Sequence, residues 1–351
     1  PGSDTANLSV IGYDPKEYYT GRSPLEALSI GVDMAPTDVS FRCNLVTLSE
    51  EEERYEDKRI LDHSSSEIST EDAAVLMETL MQEMRRGGYE FYTGTSYRHL
   101  LIHKFGSVVE LTAPHDILTK RIGEYLPQDA VLREMMETSY RILSNHPLNL
   151  ERKAKGLNPA NSVWFWGAGT RPMLTSFEEK YHKKGAMISA VDLLKGIAVG
   201  AGLDNIIVEG ANGGLHTNYT GKAEAAVDAL AAQDYDFVYV HIEAPDEMGH
   251  QGSIPDKIKA IENIDQKIIG PIVGELEDLC MDFRTLVLPD HPTPICVRTH
   301  TGNPVPYLLY DSRKKAEGMP EYSERLGNKS PLFEKEGHRL LSRLFEMDNE
   351  R

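Results

Sequence analysis

The chain has 351 residues, 40% hydrophobic and 26% charged, with 37 basic against 55 acidic side chains and a formal net charge of −18. These are the proportions of a soluble globular protein, and the length suggests two domains or one large domain with an insertion. No apolar stretch approaches the roughly 18 residues of a membrane span, no signal peptide is visible, and the acidic excess opposes nucleic acid or an anionic membrane as partner. An anionic small molecule stays admissible if metals and local arginines reverse the field within its site. Three cysteines (Cys43, Cys280, Cys296) without a CxxC pair point to a reducing, cytoplasmic location and away from thiolate metal sites. The oligomeric state is not legible.

The chain opens Pro1-Gly2-Ser3-Asp4, with no Met and no preceding strand, so an N-terminal piece is expected to be missing. Residues 4–13 read as a short helix broken at Asp14-Pro15, and a second helix starts near Pro24. Residues 38–48 alternate as a strand, 50–57 form an acidic solvated loop, and 69–87 are helical, with Ser69 or Thr70 as N-cap. Strands at 97–102 and 108–111 would form a hairpin turning at 104–106, and 129–145 is an amphipathic helix. From Ala186 strands and helices alternate: strands at 186–190, 205–208, 235–242, 283–288 and 304–310; helices at 191–200, 221–232, 254–278 and about 333–346. Such alternation implies an α/β fold with a parallel sheet covered on both faces. The mixed region 35–180 fits an inserted α+β lobe, which leaves 1–34 and 181–351 as the α/β domain.

The chemistry concentrates near the C-terminus. Asp246-x-x-x-His250, Asp290-His291 and His300 lie within 55 residues, the first two just after the apolar runs YDFVYVHI and FRTLVL. A lone Asp-His pair is usually a cap, but three such elements at strand exits read as metal ligands. Five ligands exceed one tetrahedral ion's need and suggest two divalent ions, Mn²⁺, Mg²⁺, Zn²⁺ or Co²⁺, sharing an oxyanion site. Ser3, at the mouth of a helix, alone reads as an N-cap; beside such a site it becomes a candidate nucleophile. Arg22, Arg42, Asn44, Arg98, His99, His115 and Asp116 form a polar set in and beside the lobe, suited to phosphate or carboxylate. Lys195, on an apolar helix face, reads equally as a phosphate contact or a snorkelling lysine. The glycines of WGAG and GANGG read as turns, Trp164 and Trp166 as packing, and His63 as solvated.

Together GSDTANLSVIGYDP, YYTGRSPLEA, FRCNLVTL, APDEMGHQG, LPDHPTP and HTGNPVP resemble the archaeal-type, cofactor-independent phosphoglycerate mutases, members of the alkaline-phosphatase-like superfamily. YRHLL, PHD, LNPANSVWFWG and ISAVDLLKG resemble a bacterial branch labelled a proposed homoserine kinase. The resemblance implies an alkaline-phosphatase-like, mostly parallel sheet sandwiched by helices. It implies interconversion of 3-phosphoglycerate and 2-phosphoglycerate, a glycolytic isomerisation of a small phosphorylated hydroxy acid through a phosphoserine at Ser3. Asp290 and His291 then resemble ligands of the metal beside the serine, and Asp246, His250 and His300 those of a second metal. Lys195 resembles a phosphate-contacting lysine. Lobe closure would exclude water from the phosphoserine. Homoserine kinase or phosphomonoesterase activity on the same dinuclear site is the alternative, although no Walker A or kinase Gly-rich loop is present. The family also begins with a strand ending in an Asp-Gly metal ligand, which does not precede Pro1. A catalytically inactive binding protein is the implication if that ligand is truly absent.

Overall fold

The computed structural model describes residues 2–314 and 318–346. The outer ends of the expected domain ranges, Pro1 and 347–351, lie outside the described residues. The chain divides into two compact units, Pro1–Tyr19 with Met173–Arg351 (unit 1) and Thr20–Pro172 (unit 2). The boundaries therefore lie at 19/20 and 172/173 rather than at 34/35 and 180/181. Close backbone packing explains the shift. The Arg22–Ser29 helix is tied to the lobe's central strand by Ser23 Oγ donating to Ser40 O at 2.8 Å. A side chain on Gly169 would place its Cβ 2.4 Å from Thr20 O, so only glycine admits that approach.

Unit 2 is built around β1 (Val39–Leu48), buried along its whole length. An antiparallel sheet runs β2 (Ile60–Asp62), β1, β4 (Arg98–His103), β3 (Tyr89–Tyr92), and β5 (Ser162–Thr170) also pairs with β1. The Thr70–Glu83 and Ala130–Leu143 helices contribute Leu76, Leu80, Leu132 and Met136 to a core shared with Phe41, Leu45 and Phe165. Ser69 and Asp129 cap these helices by accepting backbone N–H bonds. The expected hairpin is wrong. β4 turns back from β3, its other edge is taken by β1, and 108–111 has no edge left to join.

Unit 1 alternates as the sequence predicted, with shorter strands. The Ser3–Val10 helix opens it. β6 (Gly185–Ile188) lies parallel between β7 (Asp204–Asn205) and β8 (Phe237–Val240), joined by crossovers through the Asp192–Ala201 and Tyr219–Ala232 helices. β9 (Arg284–Val287) and β10 (Leu308–Asp311) form a separate antiparallel pair, so the parallel character stops at three strands. β8 and β9 are half-buried because each has a strand partner on one edge only among the described residues. The long helix runs Ile254–Ile264 and Gly270–Asp278 with a π-helical turn, Asp265–Ile269, between them. Among the described residues no helix is long and apolar enough to cross a membrane.

Candidate metal centre and anion-binding cluster

In unit 1 the chain leaves β8 and enters the Ala244–Gln251 helix at Pro245, whose fixed φ suits a first helical turn. Asp246 and His250, four residues apart, share one face, with His250 Nε2 3.3 Å from Asp246 Oδ2. Beyond β9 the turn Asp290-His291 and then His300 arrive from the other side. His300 Nε2 lies 3.4 Å from Asp246 Oδ1 and 3.2 Å from His250 Nε2, and the His291 and His300 rings stack at 3.7 Å. Asp246, His291 and His300 each bring a ligand atom to within 4.8 Å of the others. Ser3 Oγ, 288 positions away in the chain, is 3.1 Å from His291 Nε2, which is itself 3.4 Å from Asp290 Oδ2. All six residues that the sequence singled out for this site thus converge.

The donor chemistry fits a divalent cation. His250 Nδ1 is 3.0 Å from the Arg298 carbonyl. A carbonyl only accepts, so Nδ1 donates there and Nε2 is the nitrogen turned inward to Asp246 and His300. Thr293 Oγ1 hydrogen-bonds the Asp246 carboxylate and lies 3.4 Å from His291 Nδ1, bracing two of the inward groups. Carboxylates are also crowded here. Burial, with Glu247 and Asp246, pushes the Glu243 carboxyl up to about 7, while nearby Lys222 opposes the rise. His241, at the exit of β8 and in contact with Ser189, is pushed down by burial.

Lys195, half-buried on its helix, pairs with Asp192 at 3.1 Å. Lys222 is 1% exposed, its Nζ donates to His241 O at 3.0 Å, and burial lowers its pKa to about 8 despite nearby Glu243. Sequence reading passed over it, yet the signal was present. With Tyr219, Ala223 and Ala226 it lies on the buried stripe of an Ala-rich helix.

Unit 2 holds a second cluster on one face of its sheet. Arg42, Asn44 and Arg98 fall on that face through strand alternation and the Asn44–Arg98 register, and Trp166 sits opposite Arg42 on β5. Glu26 bridges two arginines, meeting Arg42 Nε at 2.8 Å and Arg22 Nε at 3.1 Å. The Arg42 guanidinium lies 4.3 Å over Trp166, whose Nε1 donates to Asn44 Oδ1 at 3.0 Å. His115 stands edge-on to Trp166 at 5.2 Å and to His63 at 6.0 Å, while Arg98 covers Tyr97 at 4.9 Å. Burial lowers Arg42 to about 10, which leaves it charged at neutral pH. Its Nε, though ion-paired with Glu26, has no well-aligned hydrogen bond among the described residues, and the side chain is only 6% exposed. Arg22, Arg42 and Arg98 outnumber the carboxylates named with them, Glu26 and Asp116, which suits the cluster to an anion.

Two expected members differ. His99 points to the opposite face, accepts from Gly94 N at 3.1 Å and is pushed by burial to about 3; it is a neutral structural histidine. Asp116 is exposed and lies 3.9 Å from His115 Nε2. Conversely Trp166 and His63, read as packing and solvated, belong to the cluster.

A sequence profile described as 2,3-bisphosphoglycerate-independent phosphoglycerate mutase matches residues 1–149. The mutase of that name from Methanosarcina barkeri is 50% identical over 336 residues, covering 93% of this chain and 82% of its own length. Among solved structures, a Pyrococcus horikoshii protein is 30% identical with a TM-score of 0.78, the alignment covering 100% of this chain and 84% of that one. The cofactor-independent phosphoglycerate mutase of Thermoplasma acidophilum is 26% identical with a TM-score of 0.61, over 99% and 86% of the two chains.

Proposed function

Since this chain belongs to the 2,3-bisphosphoglycerate-independent phosphoglycerate mutases, we propose that it interconverts 3-phosphoglycerate and 2-phosphoglycerate through a phosphoserine at Ser3. The observation that carries this reading is the 3.1 Å approach of Ser3 Oγ to His291 Nε2, inside the converged Asp and His groups. We read unit 1 as an alkaline-phosphatase-like α/β domain and the chain as cytoplasmic, in line with its three free cysteines.

The Ser3 hydroxyl attacks the substrate phosphorus; the P–O bond to glycerate breaks, its oxygen takes up a proton, and phosphoserine forms. The other hydroxyl of the retained glycerate then attacks phosphoserine and regenerates Ser3. Asp246, His250, Asp290, His291 and His300 would hold two divalent ions, with Mn²⁺, Mg²⁺, Zn²⁺ or Co²⁺ suiting their oxygen and imidazole donors, to supply positive charge to the transferring phosphoryl group and acidify the serine hydroxyl. Lys195 and Lys222 are the candidate phosphate contacts, the buried Lys222 ammonium having donors to spare. In unit 2, Arg22, Arg42 and Arg98, with His115, are the groups we assign to the substrate's carboxylate, and Asn44 and Asp116 to orienting the Trp166 and His115 rings. Turnover of 3-phosphoglycerate with Mn²⁺, read by coupling 2-phosphoglycerate to enolase, tests the proposal. Activity no higher than that of Ser3→Ala would remove it.

A further inference from the structure

Behind the candidate nucleophile lies a polar side chain that none of the chemistry above uses. Asn7 is 0% exposed, one helical turn after Ser3, on a helix that also buries Asp4, Ala6 and Leu8. Each of its two amide protons has one acceptor: Nδ2 donates to Ser3 O at 2.8 Å and to Asp290 Oδ2 at 2.9 Å. Its Oδ1 accepts from the Tyr239 hydroxyl at 2.6 Å. The amide orientation is unambiguous, because a carboxylate can only accept. Tyr239 stays protonated, since burial and the Asp290 carboxylate both push its phenol up. One fully used amide therefore fastens together the Ser3–Val10 helix, the turn after β9 and strand β8.

A buried asparagine with every amide proton committed across three elements is costly to install as mere packing; an apolar residue would fill the space without a desolvation penalty. What the amide adds is register. Asp290 Oδ1 is already fixed by the His291 backbone N–H at 2.9 Å, so the Asn7 bond to Oδ2 fixes the plane of the carboxylate. The same NH₂ group holds the first turn that presents Ser3. We propose that Asn7 is a positioning residue that locks Ser3 and Asp290 to one another, with Tyr239 orienting its amide. The inference rests on the functional reading of Ser3 and Asp290 given above. Its consequence is that cation affinity and nucleophile placement are coupled through one side chain that touches neither substrate nor cation.

The test uses the full chain with Mn²⁺ as the probe. Isothermal calorimetry without substrate gives Mn²⁺ affinity, circular dichroism melts confirm folding, and steady-state kinetics at saturating Mn²⁺ separate kcat from KM. Asn7→Leu, which keeps the shape and removes the amide, is expected to weaken Mn²⁺ binding at least tenfold, as loss of a ligand's hydrogen-bond partner does. It should also lower kcat at saturating Mn²⁺ with little change in KM. Tyr239→Phe, which removes one hydroxyl and no volume, should show a smaller loss in the same direction, and should add nothing in the Asn7→Leu background. A folded Asn7→Leu or Tyr239→Phe protein with Mn²⁺ affinity and kcat within twofold of the unaltered chain would overturn the inference and leave the mutase reading intact. Failure of the unaltered chain to bind Mn²⁺ would overturn both.

Discussion

Replacing Lys222 with methionine is expected to make the protein more stable and less active. Burial lowers the Lys222 ammonium from 10.5 to about 8. Below pH 8 the group is protonated in both folded and unfolded chains, so the fold carries the full cost of a desolvated charge, about 3 kcal/mol. From pH 8 to 10.5 the folded lysine releases its proton before the unfolded one, and that cost fades; above 10.5 it is gone. Lys222→Met fills the same volume without a charge and forfeits the bond to His241 O, worth about 1 kcal/mol. The net expectation is a gain of about 2 kcal/mol at pH 7, turning into a small loss near pH 11. Urea unfolding in EDTA at several pH values measures it. Phosphoserine formation should meanwhile fall by about two orders of magnitude, the scale of losing a charge-stabilising donor. A methionine variant no more stable than the unaltered chain at pH 7 would refute the reasoning about the buried charge. Undiminished activity would remove Lys222 from the site.

Arg42→Lys keeps a charge but loses the fork, and should raise KM for 3-phosphoglycerate about tenfold or more while leaving calorimetric Mn²⁺ affinity unchanged. His99, held neutral with a folded pKa of about 3 against 6.5, contributes stability that is fully present above pH 6.5 and lost as pH falls toward 3. His99→Gln, which can still accept from Gly94 N, should flatten the acid limb of urea unfolding and leave KM alone. Asp246→Asn removes the carboxylate that meets both His250 and His300 and should abolish measurable Mn²⁺ binding by calorimetry. In the unaltered chain Mn²⁺ affinity should fall on acidification, because imidazole must be neutral to ligate.

Much of this was legible in the sequence because unit 1 obeys local rules. Apolar runs marked β8 and β9, and the i, i+4 spacing of Asp246 and His250 fixed their shared face before any coordinates were known. Ser3 was found by chemistry, since a serine at a helix mouth gains meaning beside a cation site. What local rules could not give was partnership across the chain. The hairpin expected between 97–102 and 108–111 fails because β4 pairs with β3 on one edge and β1 on the other, and edge occupancy by β1 is a non-local fact. Arg98 and His99 looked equivalent until the register sent them to opposite faces. Trp166 read as packing because its bond to Asn44 and its contact with Arg42 span 122 and 124 positions. Lys195 and Lys222 both interrupt apolar helix faces; Lys195 meets Asp192 three residues before it, while only tertiary packing brings Lys222 to the His241 carbonyl.

The most direct test of the central claim is to find the phosphoryl group on Ser3. The chain would be incubated with Mn²⁺ and ³²P-labelled 3-phosphoglycerate, quenched in acid within milliseconds, digested and sequenced by mass spectrometry. The account predicts a label on the peptide containing Ser3, absent from Ser3→Ala and much reduced in Asp290→Asn. Turnover without label on Ser3, or label on another residue, would contradict it.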